Sequence, residues 1–131
     1  MKLLLDTHIW IWSVSESSRL TKEVAAELGD PSNEIWLSPI SIWELTNLVR
    51  KRRLFLPSDL ASWVREAFRQ FAYEEAVINH EVAIQTAMVD LAHHDPADRI
   101  LAATAVVYAL TLVTADEQLL RSKSFPTLPN R

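Results

Sequence analysis

Three consecutive leucines, Leu3-Leu4-Leu5, run straight into an aspartate, Asp6. The device returns near the other end of the chain, where Leu110-Thr111-Leu112-Val113-Thr114 is closely followed by Asp116. Such runs lack polar alternation, so they predict strands buried on both faces of a parallel sheet. In open sheets of that kind, ligands bind in the crevice beyond the carboxyl ends of the strands. Two acids at two such ends, with Glu44 and Asp98 from following helices, would form one acidic pocket. Carboxylates roughly 5 Å apart repel by about 3 kcal/mol per pair at an effective dielectric of ~20. A divalent cation removes that repulsion, so the pattern points to a Mg²⁺ or Mn²⁺ site.

The rest of the chain fits an α/β reading. Its 131 residues, of which 49% are hydrophobic, predict one domain, residues 1–131, with a real core. Strands are expected at Lys2–Asp6, Glu34–Leu37, Glu75–Ile78 and Leu110–Thr114, alternating with helices. A short helix over His8–Val14 precedes one over Thr21–Leu28, capped by Thr21 and terminated by Gly29. Ser38-Pro39 reads as an N-cap and first-turn proline for a helix running toward Arg52. Ser58 is the expected cap of a helix over Asp59–Phe71, whose Leu60, Trp63, Val64 and Phe68 recur at helical spacing. Asn79 can cap a helix through Val89, and Asp95-Pro96 opens the next. The tail from Ser122, with Pro126 and Pro129, is a loop or a short edge strand.

Composition removes several function classes. Without cysteine there are no disulfides and no thiolate metal sites. One glycine, Gly29, excludes the glycine-rich phosphate loops and a GxSxG nucleophile elbow. The apolar stretch Ile100–Ala115 is 16 residues long, short of the roughly 20 a membrane span needs. The apolar N-terminal run breaks at Asp6, too soon for a signal peptide. A net charge of −4 means that any nucleic-acid contact must rest on a local basic patch. These features together fit a cytoplasmic protein.

Each acid also has a structural explanation. Asp6 and Asp116 can cap the helices that follow them, Glu44 can be an ordinary helical glutamate, and Asp98 sits where an acid meets the helix dipole. Capping accounts for Asp95 in the same way, which leaves Asp98 as the preferred ligand. The functional reading rests on four coincidences at one sheet edge. Hard divalent ions prefer oxygen, and Mg²⁺ keeps several waters while taking one or two carboxylates directly. Such an ion orients a phosphodiester, stabilises its charge and activates water. His8, His80, His93 and His94 offer no HExxH spacing, so zinc is a poor alternative.

With these residues in place, the chain resembles the PIN-domain ribonucleases, in particular the VapC-type toxins of bacterial toxin–antitoxin pairs. The matching text is Leu3-Leu4-Leu5-Asp6-Thr7-His8, Ser38-Pro39-Ile40-Ser41-Ile42-Trp43-Glu44, His94 through Ala105, and Thr114-Ala115-Asp116. The resemblance implies a three-layer α/β/α domain with a central, mainly parallel sheet. It implies a Mg²⁺- or Mn²⁺-dependent endoribonuclease with Asp6, Glu44, Asp98 and Asp116 as its acidic set. Asp6 and Asp98 would be the direct metal ligands, with Thr7 and Thr114 as supporting hydroxyls. The family further implies cleavage of structured RNA such as tRNA or rRNA, inhibition of translation, a homodimer, and silencing by a VapB-like antitoxin. Relatives often place a glycine in the turn after the Glu-bearing helix, where this chain has Arg50-Lys51-Arg52-Arg53.

That run, Arg50 to Arg53, is the one dense basic cluster, and it suits RNA phosphates as well as a helix C-terminus. Among the five tryptophans, Trp36 is expected in the core. Trp10 and Trp12 should point different ways, and Trp12 or Trp63 could line a partner contact. Two other classes compete: a catalytically silent scaffold that binds RNA or protein, and a phosphatase of small phosphoesters. The quartet argues against the first. The missing second aspartate of a DxD motif argues against the other.

Overall fold

The computed structural model describes residues 1–92 and 95–131. Its centre is a five-stranded, all-parallel sheet in the order β3-β2-β1-β4-β5. The strands are β1 (Lys2–Leu5), β2 (Glu34–Leu37), β3 (Tyr73–Glu75), β4 (Thr111–Thr114) and β5 (Thr127–Pro129). The helices are α1 (Thr7–Ser15), α2 (Lys22–Gly29), α3 (Pro39–Arg50), α4 (Leu60–Gln70), α5 (His80–Gln85), α6 (Pro96–Val107) and α7 (Glu117–Arg121). Among the described residues, no helix is long and apolar enough to cross a membrane.

Strand alternation builds the three layers. Leu3 and Leu5 face a core shared with Trp10 of α1, Val24 of α2, Leu45 of α3 and Trp63 of α4. Leu4 and Leu112 face the opposite core, with Leu101 and Ala105 of α6 and Leu119 of α7. β1 is therefore buried on both sides, as its unbroken leucines require. The chain grows from β1 outward to β2 and β3, then returns to start β4 on the other side of β1. The crevice at the carboxyl ends of β1 and β4 is thus the topological switch point of the sheet.

Four details differ from the sequence expectations. The edge strand β3 covers Tyr73–Glu75 rather than Glu75–Ile78; Val77 and Ile78, which imitate a strand, lie outside the sheet and are partly exposed. Asp59, not Ser58, caps α4, its Oδ1 accepting from the Ser62 amide at 2.9 Å. The helix from Asn79 stops at Gln85 instead of reaching Val89. Beyond it, the Arg99 guanidinium donates hydrogen bonds to the carbonyls of Thr86, Val89 and Leu91. Those oxygens are then no longer needed by a helical ladder. Finally, Trp36 is only half-buried, its ring against Tyr108 at 5.4 Å.

The one glycine is not where the backbone most needs one. Gly29 is the last residue of α2, its φ is negative, and open space surrounds its missing Cβ. Two other helices end in left-handed residues that carry side chains, Arg52 (φ 56°) and Ala109 (φ 54°). After α3, Arg53 N–H donates to Leu48 O at 2.9 Å and Arg52 N–H to Val49 O at 3.1 Å. After α6, Leu110 and Ala109 repeat that pair of bonds to Ala105 and Val106. Both are Schellman closures made without glycine, each carrying about 1–2 kcal/mol of left-handed strain. Exchanging the two residue types should therefore help at both sites. Ala109→Gly and Gly29→Ala should each stabilise by about 0.5–1 kcal/mol, after the unfolded-state entropy change is included. Denaturant midpoints check this, and a loss of stability at Ala109→Gly would contradict the strain assignment.

Candidate active site

Asp6 stands at the junction of β1 and α1, with 9% of its surface exposed. Its amide donates to Val113 O of β4 at 3.0 Å, carrying the sheet ladder one residue past β1. Its side chain then accepts two hydrogen bonds, from Thr7 N–H at 2.7 Å and from the Thr114 hydroxyl at 2.6 Å. Thr114, the last residue of β4, also accepts from the Asp116 amide at 3.0 Å. One fully buried hydroxyl thus ties the two strand-end acids to a single edge. Asp116 caps α7 through bonds from Gln118 and Leu119 amides, at 2.8 and 3.2 Å, and its side chain is exposed.

Glu44 reaches the same place from α3, the helix that follows β2. Its carboxylate accepts from the Thr7 hydroxyl, whose oxygen also lies 3.0 Å from Ser41 Oγ. A hydroxyl has one hydrogen and an ionised carboxylate has none. Thr7 therefore donates to Glu44, and Ser41 supplies its own hydrogen to Thr7. Ser41 is fully buried and was missed by sequence reasoning. The signal that could have found it is its position three residues before Glu44, on the same helical face. Asp98 comes from the first turn of α6, where Asp95 caps the helix by accepting from the Ala97 and Asp98 amides at 2.9 and 3.2 Å.

These acids lie within electrostatic reach of one another. Burial pushes the Asp6 carboxyl up, against the Thr114 and Thr7 hydrogen bonds and the charge of His8, and Asp116 adds to the rise. Burial also raises Glu44; Thr7 opposes it, while Asp6 and Asp95 reinforce it. Asp98 is pushed up to about 8, first by burial and then by Asp6, Asp95, Asp116 and Glu44. Asp95, which capping seemed to explain in full, therefore adds its charge to the same field.

A hard divalent cation fits this donor set, because it offers carboxylate and hydroxyl oxygens under mutual repulsion. Among the described residues, no three acidic or histidine side chains close on one point to enclose an ion unaided. His93 and His94 lie outside the described residues.

The other predicted residues are placed differently. Of the basic run only Arg50 is helical; Lys51 caps α3, and Arg52 and Arg53 form its turn. Arg50 is six residues from Glu44, about 9 Å along the helix axis. Trp63 belongs to the core, edge-on to Trp10 at 5.3 Å. Trp12 stays half-buried, and the most exposed tryptophan is Trp43, at 54%. An apolar groove of about 520 Å³ between α3, α4 and β3 contains none of the four acids.

An α/β/α protein whose acids from four segments act on one another near the switch point of a parallel sheet is a narrow class. The chain belongs to the PIN domain family, whose model matches residues 3–124, and within it stands with the VapC proteins. It is 32% identical to Ribonuclease VapC22 of Mycobacterium tuberculosis (strain ATCC 25618 / H37Rv) over 127 residues, covering 95% of this chain and 93% of that protein. Two solved structures share the fold. One is VapBC2 from Rickettsia felis bound to a DNA fragment from their promoter (TM-score 0.75, 18% identity, 98% of each chain). The other is a toxin–antitoxin complex from Klebsiella pneumoniae (TM-score 0.67, 21% identity, 98% of each chain).

The elevated Asp98 carboxyl has a consequence for stability. Between about pH 4 and about pH 8 the folded protein holds a proton that the unfolded chain has released. Raising pH through that window therefore weakens the fold, and above it the loss is complete. In chelator, the thermal midpoint should fall between about pH 5 and about pH 8.5, and fall less in Asp98→Asn. Added Mg²⁺ should restore the wild-type midpoint at high pH and do little for the variant. Equal pH dependence in the two proteins would contradict this electrostatic picture.

Proposed function

We propose that this chain is a VapC-type toxin: a Mg²⁺- or Mn²⁺-dependent endoribonuclease that cuts structured RNA, such as tRNA or rRNA, and thereby inhibits translation. What supports this reading is that Asp6, Glu44 and Asp116 all act electrostatically on Asp98 at the carboxyl edge of the sheet. Binding alone does not require so much clustered negative charge, which disfavours a silent scaffold. The relationship to Ribonuclease VapC22 supports RNA as the substrate class.

In this reading Asp6 and Asp98 hold the metal, while Glu44 and Asp116 complete the charge and position the attacking water. The bound ion would supply Lewis-acid stabilisation of the phosphodiester oxygens and ease deprotonation of that water. Thr114 fixes one oxygen of Asp6 and the Thr7 amide fixes the other, so the carboxylate cannot rotate away. Thr7 fixes Glu44, whose carboxyl burial pushes above its ordinary value, and holds it facing the crevice as a candidate proton acceptor. The basic run Arg50, Lys51, Arg52 and Arg53 contributes phosphate contacts. The protein would act in the cytoplasm as a single-domain homodimer; the toxin–antitoxin assemblies among its structural neighbours support restraint by a VapB-like antitoxin.

The test compares bulk tRNA, duplex DNA and a small phosphoester as substrates, each with Mg²⁺, Mn²⁺ or chelator. Cleavage should be confined to RNA and to the metal-containing reactions. Asp6→Asn should keep the fold and lower the rate by about 10³-fold, the scale on which removing one electrostatic stabiliser of the transition state acts. Undiminished cleavage by the folded variant would remove Asp6 from the mechanism. Tight RNA binding by the wild type with no cleavage under any metal would point to the scaffold.

A further inference from the structure

Two residues beyond Asp6, on the first turn of α1, His8 opens a second site. A pocket of about 320 Å³ lies between α1 and the α3–α4 connection, lined by His8, Trp12, Glu16, Arg19, Leu48 and Arg53 among others. Its centrepiece is a stack. The Arg19 guanidinium lies over the Trp12 ring, 4.4 Å from its centroid, and the His8 ring is tilted against the same indole at 5.8 Å.

The local charge runs against that of the molecule. The chain carries −4 overall, and the neighbouring crevice is acidic, yet this pocket sets two arginines against one acid. That acid, Glu16, is itself 3.7 Å from Arg19, with both side chains more than half exposed. An exposed ion pair of that length contributes little and yields readily to a stronger anion. Arg53 is brought here by the turn after α3, in which Arg52 takes its left-handed conformation. The basic run therefore divides, and its last member faces this pocket and not open solvent alone.

Arginine planes and aromatic rings are the surfaces on which proteins stack unpaired RNA bases, and arginines hold the adjoining phosphates. We propose that this pocket is a subsite for one unpaired nucleotide of the substrate RNA, its base on the Arg19–Trp12 stack and its phosphate between Arg19 and Arg53. The volume suits a ligand of that size, since small-molecule sites begin near 300 Å³. The site adjoins the crevice, because His8, which lines it, follows Asp6 by two residues. A base gripped here would fix which neighbouring phosphodiester reaches the acids. The proposal rests on the ribonuclease reading and adds to it a determinant of cleavage position.

The test uses the full chain in EDTA, where cleavage is off, and a single-stranded RNA of about twelve nucleotides carrying 4-thiouridine. Wild type should crosslink through the peptide containing Trp12 and Arg19. Arg19→Gln/Arg53→Gln should weaken binding about tenfold and flatten the salt dependence by about 0.7 in log–log slope for each phosphate no longer neutralised. Both arginines are exposed, so the fold should survive, which circular dichroism checks. Arg19→Lys, a milder change, should keep the salt slope and lower the crosslink yield, because charge remains and the stacking plane does not. Crosslinks mapping elsewhere, or unchanged affinity in the double variant, would overturn the subsite while cleavage by wild type left the ribonuclease reading standing. A double variant with native RNA affinity that no longer captures a co-expressed antitoxin would assign the pocket to a protein partner, again overturning it. Wild type that neither binds nor cuts RNA would remove both.

Discussion

The hydrogen bond from Thr114 to Asp6 is the contact on which the rest of the site depends. Asp6 is a carboxylate almost wholly withdrawn from water, a placement that is unfavourable unless its oxygens are satisfied. One oxygen is met by the first amide of α1 and the other by a hydroxyl at the end of the adjacent strand. Because β1 and β4 are neighbours only through the reversal of strand order, that bond can form only at the switch point. The topology and the buried acid require each other.

From that bond the network spreads by single hydroxyls. Thr114 orders the turn into Asp116, and Thr7 bridges to Glu44 with Ser41 behind it. Each is a short side chain with no charge, which positions a carboxylate without neutralising it. The effect is an electrostatically loaded crevice, in which three carboxyls bind protons more tightly than usual. A fold that holds carboxyls in that condition is poised to bind a cation, since the ion stabilises what burial and repulsion destabilise.

Much of this was legible in the sequence where local and global forces agree. β1 and β4 are unbroken apolar runs, and Ser38-Pro39 and Asp95-Pro96 carry their caps and prolines in sequence. The helix starts at Pro39 and Pro96 therefore emerged correctly. What failed was set by distant partners. Ala76-Val77-Ile78 has strand composition, but the hydrogen-bond edge offered by β2 falls on Tyr73–Glu75. The turns that follow α5 are held by Arg99, a residue well beyond its end. The four acids were each ambiguous alone, because every one has a capping or helical reason to exist. Only their order along the chain, and the resemblance it carried, joined them. Ser41 and the field of Asp95 needed coordinates, since nothing in one sequence marks a serine as buried beside a threonine from another helix.

Diffraction from crystals soaked in Mn²⁺ tests the central claim most directly, because anomalous scattering locates the ion without reference to any assumed chemistry. The account predicts a peak in the crevice beyond β1 and β4, in contact with Asp6 and Asp98 and surrounded by waters, and none in Asp6→Asn crystals. Manganese bound only at some other surface, with the four carboxylates left untouched, would contradict it.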